Sequence, residues 1–294
     1  MEDAKEVVAK HRRNGYKQLK CVVRKFLGNN IDRRQLQEAT DQIDASEIKF
    51  PTVAITTLSV EDVQRSLQLE LDVEDAEMQG VQPLPLPPHL VSILGLIEKA
   101  IGNSKINEAS ALWVVDAVIL HAYEAATTDI KNAQLLSVQC ERAYQFGPVM
   151  LNRKKVILSG RPDYSVWYGE SEALCLNVLI VEAKGPPKAT NPIAQLLGYM
   201  GCIHRARKSE GKRNCGVYGL ASTGETWTFL KISNDSKWTE HPVAGRHGHL
   251  EKPFGLLVWM LKRAAALSSS HSKETSAETD DEAGPCPMDL GSAE

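Results

Sequence analysis

The sequence predicts an α/β protein of the α+β sandwich class, with a mixed central sheet flanked by helices. Three observations predict it. Residues 172–185, "EALCLNVLIVEAKG", form a near-continuous apolar run closing on Glu182 and Lys184, the pattern of a strand buried on both faces. Two stretches of helical period, 107–128 and 189–211, stand on either side of it in the chain. Residues 215–233, "CGVYGLASTGETWTFLKIS", read as a hairpin around "STGET".

The elements follow in chain order. Residues 1–27 interleave Lys and Arg with apolar residues. Two readings stand for them, a basic patch for a phosphate backbone and the solvated face of a surface helix. Residues 28–78 predict two or three short helices, so 1–80 reads as a mostly helical region. Pro83, Pro85, Pro87 and Pro88 then mark an extended linker over 81–90, because proline at that density neither continues a helix nor enters a sheet. A compact domain is expected over 91–267. It opens with a short amphipathic helix over 89–102 and the longer, almost wholly apolar one over 107–128. The stretch 148–169 gives two strands around a turn. Asn191 and Pro192 supply an N-cap and a first-turn proline for the helix carrying Ile193, Leu196, Leu197, Met200 and Ile203. Residues 253–267 predict a last helix. From Ser268 to Glu294 the chain is rich in Ser, Thr, Asp, Glu and Pro, and is expected to be a disordered acidic tail.

Composition narrows the class. The 294 residues carry a net charge of −3, which gives no overall drive toward nucleic acid or membrane. None of the six cysteines makes a C-x-x-C pair, so no zinc knuckle or redox motif is expected. The charged N-terminal stretch and the short apolar runs predict an intracellular protein, nuclear or cytoplasmic, with no membrane association.

The polar oddities concentrate in three places. Gly160-Arg161-Pro162-Asp163 interrupts a strand with three residue types that strands avoid. Glu182 and Lys184 close the next strand, and i, i+2 spacing sets them on one face. Gln195 lies one turn into the following helix, with Tyr199 one turn further. A charge at the end of a buried strand needs a partner. Asp163 on the kinked neighbouring strand is the natural one for Glu182, and a divalent cation resolves the repulsion between two carboxylates. Mg²⁺ or Mn²⁺ held by Asp163 and Glu182 would support phosphodiester hydrolysis, with Lys184 placed to orient water or neutralise charge.

Gly160-x-x-Asp163, Glu182-x-Lys184 and Gln195-x-x-x-Tyr199 together resemble the PD-(D/E)XK nuclease superfamily, and its RecB-like branch in particular. The resemblance covers roughly residues 100–235, and the chain is also similar to uncharacterised fungal nuclease-like proteins. It implies a restriction-endonuclease-like core and metal binding by Asp163 and Glu182. It implies catalytic roles for Asp163, Glu182, Lys184 and Gln195, with Tyr199 in support. The family often adds an acidic residue on the first core helix, for which Glu108 is the candidate; a carboxylate favoured by the helix dipole is the competing reading. Asp116 and Glu124 on that helix read as solvated or capping groups. Arg161, Arg205, Arg207 and Lys208 are candidates for phosphate contacts on nucleic acid, DNA in the first place, though a solvated helix end fits the last three as well. The competing class is a non-catalytic nucleic-acid- or protein-binding module on the same fold, with partners on the N-terminal region or the acidic tail.

Overall fold

The structure is a computed structural model that describes residues 20, 23–24, 26–28, 32–38, 50–73, 76–102, 108–128, 136–168, 177–183, 192–245 and 249–263, with the backbone alone for 108, 168 and 177–183. The acidic tail, Asn191 and Lys184 lie outside the described residues. The chain divides into two units, residues 1–51 and 52–294. In the first, residues 33–38 are helical, and Asp32 and Gln35 exchange backbone-to-side-chain bonds of 2.8 and 3.0 Å in a capping box.

The second unit is a mixed α/β structure. Its elements are β1 (Thr52–Ala54), α1 (Val60–Leu67), β2 (Glu70–Leu71), α2 (Ala76–Gly80), α3 (Pro88–Ile101) and α4 (Glu108–Thr127). Four strands follow, β3 (Leu136–Cys140), β4 (Tyr144–Leu151), β5 (Lys154–Gly160) and β6 (Tyr164–Tyr168). Then come β7 (Asn177–Ala183), α5 (Pro192–Ser209), β8 (Val217–Ser222), β9 (Thr226–Ile232), β10 (Lys237–Ala244) and α6 over 251–263.

The main sheet has seven strands in the order β2-β10-β9-β8-β7-β6-β3, and a smaller one has three in the order β1-β5-β4. The run read as a central strand, β7, lies between β6 and β8, antiparallel to the first and parallel to the second. The "STGET" hairpin is present as β8 and β9, with Gly224 at φ +80° in its turn.

Strand alternation feeds two cores. Tyr218 and Leu220 of β8 face one, with Leu90 and Leu94 of α3, Val115 and Val118 of α4, and Phe254 and Leu257 of α6. Val217 and Ala221 face the other, with Leu196 and Met200 of α5 and Val63 and Leu67 of α1. The segment Ala109–Thr127 of α4 is long and apolar enough to cross a membrane by composition, and one side of it packs on the core shared with the sheet. The helix is not buried all round, however. Trp113 is 51 % exposed, and Leu120 is exposed too.

The linker expected at 81–90 is part of this unit. Pro88 opens α3 at its first position. Leu84 N donates to Glu251 O at 3.0 Å, and Val81 and Leu86 pack on the core.

Helix α5 is sandwiched between the sheet and the β1–α1 layer, which is why almost every residue from Ala194 to Arg207 is buried. Two glycines admit the outer layer. A Cβ on Gly198 would lie 2.5 Å from Ile55 Cγ2, and one on Gly201 would lie 2.6 Å from Leu67 Cδ1. Gly198→Ala is therefore expected to cost about 1–3 kcal/mol of stability by overpacking. The penalty should shrink when the same change is made on an Ile55→Ala background, a coupling that denaturant titration of the four proteins measures.

His204 of α5 is fully buried. Its Nδ1–H donates to Cys215 O at 2.7 Å, and Nε2 accepts from Ser236 Oγ at 2.9 Å. Burial pushes its pKa below the ordinary 6.5; the Cys215 bond opposes that, and nearby Lys208, Arg205 and Arg207 add to it. The unfolded chain then takes up a proton that the folded chain refuses. Stability from the neutral imidazole is complete above about pH 6.5 and is lost as pH falls below it. His204→Gln is expected to flatten the fall of unfolding free energy between about pH 7.5 and 5.5.

Candidate functional site

The site is built around one long hairpin with a bend in the middle. Leu136 pairs with Tyr168 and Cys140 with Tyr164 in the large sheet. Tyr144 pairs with Gly160 and Phe146 with Leu158 in the small one. The register is the same on both sides of the bend, so β3–β4 and β5–β6 are two continuous strands passing from one sheet to the other, with a shift between Phe146 and Val149 further out. Asn152 and Arg153, at φ 46° and 64°, close the hairpin's tight turn. The passage is made at Glu141–Ala143 on one strand and at Arg161–Asp163 on the other, the segment where the sequence breaks strand rules.

Three contacts hold the bend. Glu141 N donates to Asp163 O at 3.0 Å. Arg161 N donates to Tyr199 Oη at 3.0 Å, and Gln195 Nε2 donates to the same oxygen at 3.3 Å. Gly160 lies flat on the Tyr199 ring: a Cβ there would run into Cε1 and sit 2.8 Å from Oη. Tyr144, opposite Gly160 in the register, adds a ring 6.5 Å from that of Tyr199 and 6.0 Å from that of Trp167. Arg142 covers Trp167 at 5.2 Å from its centroid. The glycine of the first motif and the tyrosine of the third thus meet, although 38 residues separate Arg161 from Tyr199.

The bend also sets the acidic positions. Tyr164 pairs with Val181 across β6 and β7. Asp163 immediately precedes Tyr164 and Glu182 immediately follows Val181, so the two backbone positions lie one step beyond the last pair that β6 and β7 form. Glu182 in turn pairs with Ala221 of the central strand β8. Asp163 is partly exposed, so this row opens to solvent at the bend. Among the described residues, no group of three His, Cys, Asp or Glu side chains converges as a metal cluster. The Asp163–Glu182 row supplies two hard oxygen donors, a set that suits Mg²⁺ or Mn²⁺ completed by water and phosphate oxygens.

The remaining expected residues divide. Glu108 is the first residue of α4, and its side chain lies outside the description. Asp116, read as solvated or capping, instead accepts a hydrogen bond from the Tyr164 hydroxyl. Burial, foremost, and Asp116 push the Tyr164 pKa well above the ordinary value. No motif points to Asp116, and only the seat of α4 on β6 brings it there.

Arg161 is exposed and paired with Glu141 at 3.5 Å, worth little in water and free to turn toward a phosphate. Arg207 is buried and donates to Gly216 O, so its place is inside the fold. Arg205 donates to Gln68 Oε1 at 2.7 Å and Lys208 to Ser236 Oγ at 2.8 Å. At about 1.5 Å per residue, those two stand roughly 15 and 20 Å along the helix from Gln195.

No protein-family model matches this chain, and no curated protein matches it in sequence.

Proposed function

We propose that this chain is a divalent-metal-dependent nuclease with a restriction-endonuclease-like core, hydrolysing phosphodiester bonds in DNA. The observation that carries the reading is the bend locked by Gly160, Gln195 and Tyr199, with Asp163 and Glu182 one step beyond the last β6–β7 pair. A bend in a strand beside a pair of acidic positions is a device that re-aims side chains. The contact of the first motif's Gly160 and Arg161 with the third motif's Tyr199 is harder to reach by chance than the same residues in sequence.

Asp163 and Glu182 would hold the cation, which supplies a polarised phosphoryl oxygen and an acidified water. Lys184, two residues beyond Glu182, neutralises charge developing on the phosphate. Gln195 and Tyr199 are both buried, and one hydrogen bond links them while another ties Tyr199 to Arg161 N. These two bonds hold the bend, and Asp163, Glu182 and Lys184 would meet the cation and the substrate. Arg161 stands two residues from Asp163 and is exposed, where it can meet a phosphate flanking the scissile bond.

The test is cleavage of supercoiled and linear duplex by the full chain, with Mg²⁺ or Mn²⁺ and with chelator. Metal-dependent product that disappears in Asp163→Ala supports the reading. Equal cleavage by Asp163→Ala, or none by wild type on duplex, single-stranded DNA or RNA, sinks it and favours a module that binds without turnover.

A further inference from the structure

We propose that the Asp116–Tyr164 hydrogen bond is a positioning device that fixes Asp163 against Glu182 and so sets the affinity of the site for its cation. The inference rests on the nuclease reading above. Tyr164 directly follows Asp163, and its register partner Val181 directly precedes Glu182. The Tyr164 hydroxyl donates to Asp116 on α4. One side-chain bond therefore adds to the β3–β6 and β6–β7 ladders at the last paired step before the two acidic positions.

The bond completes a clamp from both faces of the sheet. Tyr164 and Val166 face the core shared with α3, α4 and α6. Trp167 faces the core shared with α5, where Tyr199 lies on Gly160 and accepts from Arg161 N. Helix α5 thus grips the residues before Asp163, and α4 grips the residue after it. The main chain of Asp163 is tied as well, its carbonyl accepting from Glu141 N at 3.0 Å. Apolar contacts from Val115, Val118 and Ala122 seat α4 on the sheet, but such contacts are non-directional and do not fix a position along a strand. A hydrogen bond does. Partners that orient metal-binding side chains in this way typically carry about 10- to 100-fold of metal affinity or activity.

The experiment compares wild type, Tyr164→Phe, Asp116→Ala, Asp116→Asn and Asp163→Ala, with Mn²⁺ as the probe and a labelled duplex as substrate. Tyr164→Phe keeps the ring and removes the hydroxyl; Asp116→Asn keeps an acceptor oxygen. Tyr164→Phe and Asp116→Ala are expected to weaken Mn²⁺ binding about 10-fold in calorimetric titration and to raise the Mn²⁺ concentration for half-maximal cleavage to match, with KM for duplex unchanged and Asp116→Asn close to wild type. Thermal melting in parallel confirms that each variant is folded. A Tyr164→Phe metal curve that superimposes on wild type, beside an inactive Asp163→Ala, overturns this inference and leaves the nuclease reading standing. So does an Asp116→Asn as impaired as Asp116→Ala. Absence of Asp163-dependent cleavage takes down the nuclease reading, and this inference with it.

Discussion

Glu182→Ala is expected to bring metal-dependent cleavage down to the level seen with chelator, a loss larger than the roughly 100-fold that follows removal of an outer-shell partner. The fold should survive. Glu182 and Asp163 lie one step beyond the last pair of β6 and β7, and two like charges brought close in a sheet destabilise it. Removing one relieves that repulsion, so the metal-free variant should melt no lower than wild type. Added Mn²⁺ should then raise the melting temperature of wild type by mass action and leave Glu182→Ala unmoved. A plain ion pair with Lys184 at the strand end predicts the opposite pattern, a modest loss of stability without metal and no effect of metal on either protein. Melting curves with and without Mn²⁺, beside the cleavage assay, separate the two.

Gly160→Ala is expected to do as much damage from outside the acidic row. The new methyl group would run into the Tyr199 ring, with Oη at 2.8 Å and Cζ at 3.0 Å. Tyr199 is 1 % exposed and held by Gln195 and Arg161, so the ring has little room to yield. Overpacking of this kind costs about 1–3 kcal/mol. If the chain yields instead, the bend moves, and Asp163, three residues on, moves with it. The expected outcome is a lower denaturant midpoint together with cleavage reduced well beyond the unfolded fraction. Tyr199→Phe should be milder, because it removes the acceptor for Arg161 N and keeps the ring. A Gly160→Ala protein with wild-type midpoint and cleavage would show that the contact between the first and third motifs is incidental.

Much of this was readable from residue type and spacing. The run over 172–185 announced a central strand, and β7 is one. Pro192 and the period after it announced α5. The rule-breaking at Gly160–Asp163 announced the bend. The division of one kinked strand into two sheets was not readable, because the register runs through the bend unbroken and the split depends on what packs on either side. Strand β10 was missed, since "KWTEHPVA" carries Pro242 and mixed polarity and becomes a strand by pairing with β9. The outer face of α4 could not be chosen either. A helix apolar nearly all round does not say which side meets the sheet, and Trp113 and Leu120 turned out to face solvent. Arg207 looked like its neighbours on a basic helix end, and only the approach of Gly216 gives its guanidinium a buried carbonyl. Asp116 was misread for the same reason. Its partner Tyr164 is 48 residues away, a distance that pattern does not cross.

The most direct test of a divalent-cation site on Asp163 and Glu182 is calorimetric titration of Mg²⁺ and Mn²⁺ into the full chain, wild type beside Glu182→Ala, each with and without an uncleavable duplex. Saturable binding to wild type, with or without duplex, that is lost in the variant is the expected result. Identical isotherms for the two proteins, or no binding to wild type even with duplex present, would contradict it.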